Sequence, residues 1–451
     1  MKTILILMFP VLSFGQGVHT FTPQMKSEMM EKVRAAAQHG WEGYKKYAWG
    51  ADDLKPLTKE PRVWYKKSML MTPVDAFDTF VLLGLKQEAQ EAKQLILSEL
   101  NFDSDQEVQV FEITIRLLGG LLAAYESEGD KKFLTLAVDL GNRLMPCFGT
   151  ATGMPYRYVN LRSGKTRDSA SNPAEIGTLM LEFGKLSAVT HDQKYYNAAK
   201  KAILAVYNRR SKIGLVGEII DVNTGKWIST QSHISGYIDS YYEYLFKSWK
   251  LFGDADFKTA WDHSAAAIRK YIIAKQPEGW FCRHVDMNSG IESQPLYGAL
   301  DAFIAGLMAY SGDVTTGIQM QKANYYMWTR YNMEPEEFNY KTGKVNDSSY
   351  SLRPENLESC FYLYRKTRNP EYLWMGKRMV DDILTHCYTE SGFASLKSIT
   401  TFEKRNSMES FLFGETFKYA FLIFAPDNKL NLEKVVLTTE AHAFSRNTST
   451  K

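Results

Sequence analysis

The sequence predicts an all-α protein whose helical hairpins close into a toroid with an inner and an outer ring. Three observations point there. Apolar residues recur at three- and four-residue spacing over long segments, broken by short Gly, Asn, Asp and Pro turns. These segments come in pairs, one member apolar over most of its surface and the next more amphipathic. Finally, the more apolar members carry acidic side chains, which leave water only at high cost unless a partner or a shared polar cavity receives them.

Taken in order, a segment over Val108 to Glu126 is followed by one over Lys131 to Met145, and Asn172 to Ala188 by Gln193 to Tyr207. Asp239 to Phe252 precedes Ala255 to Ile273, Leu300 to Tyr310 precedes Val314 to Tyr331, and Glu355 to Arg368 precedes Pro370 to His386. Two helices of about a dozen residues with modest loops take about sixty residues, so the chain accommodates about seven hairpins. Strand signals are few and short, as in Gly214 to Ile220. No Pro- or Ser-rich linker divides the chain, which reads as a single domain over residues 17–451. An open solenoid would also pair its helices, but it would not bring acids from successive repeats to one point. Closure accounts for both.

Composition narrows the function classes. The 451 residues are 45% hydrophobic and 23% charged, with a net charge of +3 and both signs interspersed. This excludes extended disorder, and no basic stripe marks a nucleic-acid or anionic-membrane partner. Aromatics at 13% serve core packing first, and a ring-lined cavity second. Lys2 precedes the apolar run Thr3 to Phe14 and then Gly15-Gln16-Gly17. Residues 1–16 therefore read as a signal peptide, too short in its apolar part to span a bilayer. The expectation is an exported monomer without a membrane anchor, periplasmic or secreted, from a bacterial host. Cys147, Cys282, Cys360 and Cys387 match no zinc or redox spacing, and no bridge is assigned among them. Metalloprotease, phosphate-loop and serine-hydrolase motifs are missing as well.

The misplaced acids carry the chemistry. Glu112 lies in Phe111 to Arg116, and Asp239 and Glu243 in Ile238 to Leu245. Glu355 and Glu358 share one run, while Glu409 and Glu415 bracket Ser410 to Gly414. Cleaving a glycosidic bond requires one carboxylic acid for the leaving oxygen and a second carboxylate as base or nucleophile. Spacing alone cannot pair these candidates, because they are spread over different hairpins. Arg116, four residues after Glu112, reads equally well as a helical salt-bridge partner.

Ordered motifs go further. The runs are Tyr47-Ala-Trp-Gly-Ala-Asp-Asp-Leu-Lys-Pro, Val74-Asp-Ala-Phe-Asp-Thr, Phe111-Glu-Ile-Thr-Ile-Arg-Leu-Leu-Gly-Gly, Asn172-Pro-Ala-Glu-Ile-Gly-Thr and Asp239-Ser-Tyr-Tyr-Glu-Tyr-Leu. Leu352-Arg-Pro-Glu-Asn-Leu-Glu-Ser, Met408-Glu-Ser-Phe-Leu-Phe-Gly-Glu-Thr and Thr439-Glu-Ala-His complete the set. In this order they resemble the class I α-mannosidases, glycoside hydrolase family 47, over nearly the whole chain after the leader. The resemblance implies an (α/α)7 barrel with Ca2+ at its base. It also implies exo-acting, inverting hydrolysis of terminal α-1,2-linked mannose from high-mannose N-glycans.

Carried over position by position, Glu112 is implied as general acid, Glu355 as general base and Asp239 as the other catalytic carboxylate. Thr439 is implied to bind calcium through its carbonyl and hydroxyl, with waters and sugar hydroxyls held by Glu175, Glu358, Glu415 and Glu440. Phe411 would stack under the sugar, Arg353 would contact substrate, and Arg116, Glu243 and Asp75 would order the acid network. Asp52, Asp78 and Glu409 read as local caps or ion-pair partners. Departures from the family pattern are Thr438 before the calcium Thr and Ala443 after the His. Ala299 and Ala302 replace the His and Cys of many members, which counts against the family disulfide and brings this segment closer to bacterial and degradation-enhancing members. Tyr237, two residues before Asp239, leaves the preferred branch open.

Overall fold

The structure, a computed structural model, describes residues 20–446. The leader assigned to residues 1–16 lies outside them. Helix α1 (Pro23–Tyr47) begins where the Thr22 hydroxyl accepts the Met25 N–H, with Pro23 in the first turn. Then follow α2 (Met71–Leu83), α3 (Lys86–Glu99), α4 (Val110–Ile113), α5 (Gly119–Glu128), α6 (Lys131–Leu144), α7 (Pro173–Gly177), α8 (Met180–Thr190) and α9 (Gln193–Tyr207). The remainder are α10 (Asp239–Phe252), α11 (Ala255–Ala267), α12 (Phe303–Ser311), α13 (Val314–Tyr331), α14 (Glu355–Thr367), α15 (Glu371–His386) and α16 (Phe417–Phe424).

The hairpin joints follow from local chemistry. Gly129 (φ 71°) and Gly253 (φ 73°) end α5 and α10 in the left-handed region, which costs glycine nothing. The next residues, Asp130 and Asp254, accept backbone N–H groups at the starts of α6 and α11. Two residues thus stop one helix and start its partner.

Seven helices are apolar over most of their surface. In α12 every residue from Phe303 to Tyr310 is buried, and in α16 every residue is. Their partners bury one stripe only, as Phe133, Ala137, Leu140 and Leu144 do in α6. Packing runs α2 on α5, α5 on α8, α8 on α10, α10 on α12, α12 on α14, α14 on α16 and α16 back on α2. Helices α3, α9, α11 and α1 each pack on one member of that series, and α6, α13 and α15 each on two neighbouring members.

The all-α expectation is corrected in one respect. The connections contain small antiparallel sheets, such as Glu107–Gln109 with Tyr158–Asn160 and Thr166–Arg167. Strands of two to four residues are too short to display an alternating pattern in sequence. For the same reason the signal over Gly214 to Ile220 yields a strand only at Ile219–Asp221. The helical stretch expected over Asn172 to Ala188 breaks at Thr178 and Leu179 into α7 and α8. The last pairing, Val435–Leu437 with Ala443–Ser445, packs on α10 and α5 and presents the turn 438–442.

Candidate active site

A cavity of about 240 Å³ opens among α10, α12, α14 and the segments flanking α5 and α16. Two of its walls are π-helical turns, Thr114–Leu118 and Leu412–Thr416, which carry Arg116 and Glu415. A single extra residue per turn re-aims a side chain, and such turns concentrate at functional sites. Glu112 comes from α4, Asp239 and Glu243 from α10, Glu355 and Glu358 from α14, and Thr439 and Glu440 from the turn 438–442.

Eleven of the thirteen residues singled out from the sequence line this cavity: Glu112, Arg116, Asp239, Glu243, Arg353, Glu355, Glu358, Phe411, Glu415, Thr439 and Glu440. Asp75 and Glu175 do not. Asp75 sits behind the wall, accepting from the Ser410 hydroxyl and lying 3.5 Å from Arg116 Nη1. Glu175 is committed elsewhere. Its carboxylate takes both prongs of Arg157, at 2.6 and 2.7 Å, and accepts from Gln109 Nε2 at 3.0 Å.

Arg116 is the hub of one side. Its Nε donates to Glu112 Oε2 at 2.9 Å and its Nη1 to Glu440 Oε2 at 2.7 Å. Its guanidinium also lies 5.6 Å from the Phe411 ring centroid, and Arg353 lies 5.7 Å from the same ring. Arg353 is held in turn by Glu336 at 3.0 Å.

On the opposite side, Asp239 is the first residue of α10 and accepts the Ser240 N–H at 2.6 Å. Burial nonetheless pushes its carboxyl up to about 6. Glu355 opens α14, and its Oε2 is buried without a hydrogen-bond partner. Burial pushes this carboxyl up to about 7 against the pull of Arg353. Glu358 rises to about 8 through burial, although Lys247 lies 3.6 Å away and the Tyr419 hydroxyl donates at 3.1 Å. Glu440 also rises to about 8 through burial, and Glu415 is pushed well up by burial and by the neighbouring Glu440, Glu355 and Glu358.

The charge arithmetic is lopsided. Seven acids line the cavity (Glu112, Asp239, Glu243, Glu355, Glu358, Glu415 and Glu440) against the cations Arg116 and Arg353, with Lys247 behind. Buried carboxylates in that excess hold protons or gather a cation. A hard divalent ion fits this donor set, since the Thr439 carbonyl and hydroxyl are oxygen donors amid the carboxylates. Among the described residues no three Asp, Glu, His or Cys side chains converge closely enough to ligate an ion themselves. The Thr439 oxygens and water would therefore form the inner contacts, with the carboxylates outside them.

Some residues escaped sequence reasoning. Lys247 follows Asp239 and Glu243 at the same four-residue interval on α10, a helical spacing that could have singled it out. Leu300 and Phe303, which form an apolar wall, carry no such signal. Asp52, read as a local cap, accepts the N–H groups of Trp64 and Met69 at 2.9 and 2.7 Å. All four cysteines are buried and free.

A model of the family described as glycosyl hydrolase family 47 matches residues 36–446. The ER degradation-enhancing alpha-mannosidase-like protein 1 of Schizosaccharomyces pombe is 34% identical over 444 residues, covering 92% of this chain and 56% of that protein. This chain thus spans little more than half of that relative. The mannosyl-oligosaccharide 1,2-alpha-mannosidase MNS1 of Arabidopsis thaliana is 33% identical over 437 residues, covering 91% of this chain and 78% of the relative. The solved structure of an alpha-1,2-mannosidase from Trichoderma reesei superposes with a TM-score of 0.87 at 27% identity, covering 93% of this chain and 99% of the other.

Proposed function

The chain belongs to glycosyl hydrolase family 47 and is a glycoside hydrolase, and from this we propose that it removes terminal α-1,2-linked mannose from high-mannose N-glycans with inversion. The observation that carries this reading is the convergence of Glu112, Asp239 and Glu355, from α4, α10 and α14, on one cavity that also receives Thr439. The names of the Arabidopsis and Trichoderma proteins support the linkage. The order of helix packing, returning from α16 to α2, supports a closed (α/α)7 barrel as its frame.

In the proposed reaction the glycosidic C–O bond breaks while a water oxygen bonds to the anomeric carbon from the opposite face. Glu112 gives its proton to the leaving oxygen. Glu355 takes a proton from the attacking water, a role suited to a carboxyl that burial holds near 7. Asp239, beside it on α10, orients that water and shares the developing charge. Phe411 offers its ring face to the sugar, and the guanidinium groups of Arg116 and Arg353 keep the ring in place. Thr439 would hold calcium through its carbonyl and hydroxyl, and the ion would supply fixed positive charge for water and sugar hydroxyls. Glu358, Glu415 and Glu440 would hold those oxygens from outside, while the Glu175 carboxylate is paired with Arg157. Export is proposed from the leader alone, and among the described residues no helix is long and apolar enough to cross a membrane.

The test is a release assay on α-1,2-, α-1,3- and α-1,6-linked mannobioses in calcium, followed by proton NMR. Release from the α-1,2 linkage with β-mannose appearing first is the expected result. The α anomer appearing first would overturn inversion, and no release from any of the three would overturn the activity.

A further inference from the structure

We propose that His442, which bridges two buried carboxylates behind the cavity wall, is a positioning residue that keeps Arg116 on Glu112 and Glu440. The inference rests on the reading of Glu112 as general acid and extends it to a side chain that does not line the cavity.

The imidazole is fully buried, on the far side of Asp75 from Arg116. Its Nδ1 lies 3.2 Å from Asp78 Oδ1 and its Nε2 lies 3.3 Å from Asp75 Oδ1. Asp78 receives Lys418 Nζ at 2.8 Å, and the same ammonium donates to the Ala441 carbonyl at 2.7 Å. Asp75 Oδ2 faces Arg116. Charges therefore alternate without a break from Lys418 through Asp78, His442, Asp75 and Arg116 to Glu112 and Glu440. Glu182 on α8 is the further acid that senses the imidazole.

A neutral imidazole can donate from one nitrogen only, so one of the two carboxylates would face a lone pair. With both nitrogens protonated, both contacts are attractive. Burial would discharge the ring, but Asp78 and Asp75 outweigh it and hold the group at about 9. The same charges act in reverse on Asp75, where His442, Arg116 and Ser410 outweigh burial and keep the carboxyl below its ordinary range.

The packing is built around this ring. A Cβ on Gly119 would stand 2.9 Å from His442 Cδ2, and one on Gly120 would stand 3.3 Å from Cε1 and 2.7 Å from Val74. Both glycines open α5. The start of that helix, which follows directly on the turn carrying Arg116, closes over the imidazole with no room for a methyl group.

Without the imidazole, Asp75 Oδ1, which has no other partner, loses its neighbouring cation and leaves Arg116 as the only cation against the buried carboxylate. The carboxylate then draws Arg116 towards itself or takes up a proton. Either outcome relaxes the guanidinium that donates to Glu112, and small displacements of a reacting group cost rate more than affinity.

The test uses the full chain with calcium, in wild-type, His442→Gln, Asp75→Asn and doubly substituted forms, each checked for folding by thermal melting. His442→Gln is expected to lower kcat by about 10- to 100-fold with KM within about twofold. The double variant should turn over faster than the product of the two single effects, because the charge left unpaired by one change is removed by the other. Wild-type kcat in folded His442→Gln, or strictly multiplicative losses, would overturn the proposal. Independently of turnover, nitrogen-15 spectra of histidine-labelled wild type should show both ring nitrogens of His442 protonated at pH 7.5. A single neutral tautomer there would also overturn it, even if the substituted chains failed to fold. Wild-type protein that releases no mannose yet shows the doubly protonated ring would sink the hydrolytic reading and leave the bridge standing.

Discussion

Lys247 and Glu358 face one another at 3.6 Å across the gap between α10 and α14. The same ammonium donates to Glu243 one turn earlier on its own helix. Burial would discharge Lys247, but Glu243 and Glu358 overcome it and hold the lysine charged far above its ordinary range. One buried cation thus serves two acids of the cavity floor.

Replacing it separates charge from stability. Lys247→Met should cost on the order of 3–5 kcal/mol of unfolding free energy at pH 8 in chelator, because two buried carboxylates lose their cation. At pH 5 the loss should be smaller, since Glu358, raised to about 8 by burial, then carries a proton. Urea denaturation at the two pH values reads the difference. An equal cost at both would show that packing, rather than charge, decides it.

The acids themselves predict a pH dependence. Glu355 and Glu358 have carboxyls raised to about 7 and about 8 in the folded chain, so the native state binds more protons than the unfolded one between roughly pH 4.5 and 8. Their stabilising effect is complete below the unfolded value and is lost as pH rises through the folded one. In chelator the melting temperature should therefore fall from pH 5 to pH 8, and millimolar calcium should restore most of the loss at pH 8. A melting temperature independent of calcium at pH 8 would refute the cation-binding role.

Glu355→Gln exchanges activity for stability. The buried oxygen without a hydrogen-bond partner no longer carries charge in the amide, so at pH 8 the variant should melt at or above the wild-type temperature. Turnover should drop by about 10²- to 10⁴-fold. Full activity would remove the proposed base role.

Phe411→Ala should act on binding. The ring lies against both Arg116 and Arg353 and is one of the three aromatic rings, with Phe111 and Phe303, that line the cavity. Losing it should raise KM about two- to tenfold, in line with roughly 0.5–1.5 kcal/mol for an aromatic contact beyond its burial, with a smaller effect on kcat. A change confined to kcat would place the ring's importance elsewhere.

Much of this was legible in the sequence because helices advertise themselves. α9, α10 and α13 begin and end where periodicity sets them, since each carries a complete apolar face and a terminal Gly, Asn or Asp signal. The acids were legible as a group for a related reason: Glu243 and Glu358 are conspicuous wherever their neighbours are apolar. What remained hidden is relational. The two π turns differ from α-helix by one residue per turn, which leaves no mark on apolar spacing. Asp75 and Glu175 carry motifs as strong as those of the cavity acids, yet their partners Ser410 and Arg157 are distant or unremarkable in sequence. The two-residue strands offer no pattern at all.

The turn 438–442 follows all sixteen helices of the described residues, yet it supplies Thr439 and Glu440 to the cavity lining. During synthesis, then, the whole helical frame can leave the ribosome and collapse while the site still lacks its floor. The cavity of a nascent chain stays incomplete until that hairpin arrives, so the site is assembled after its helical frame rather than growing with it.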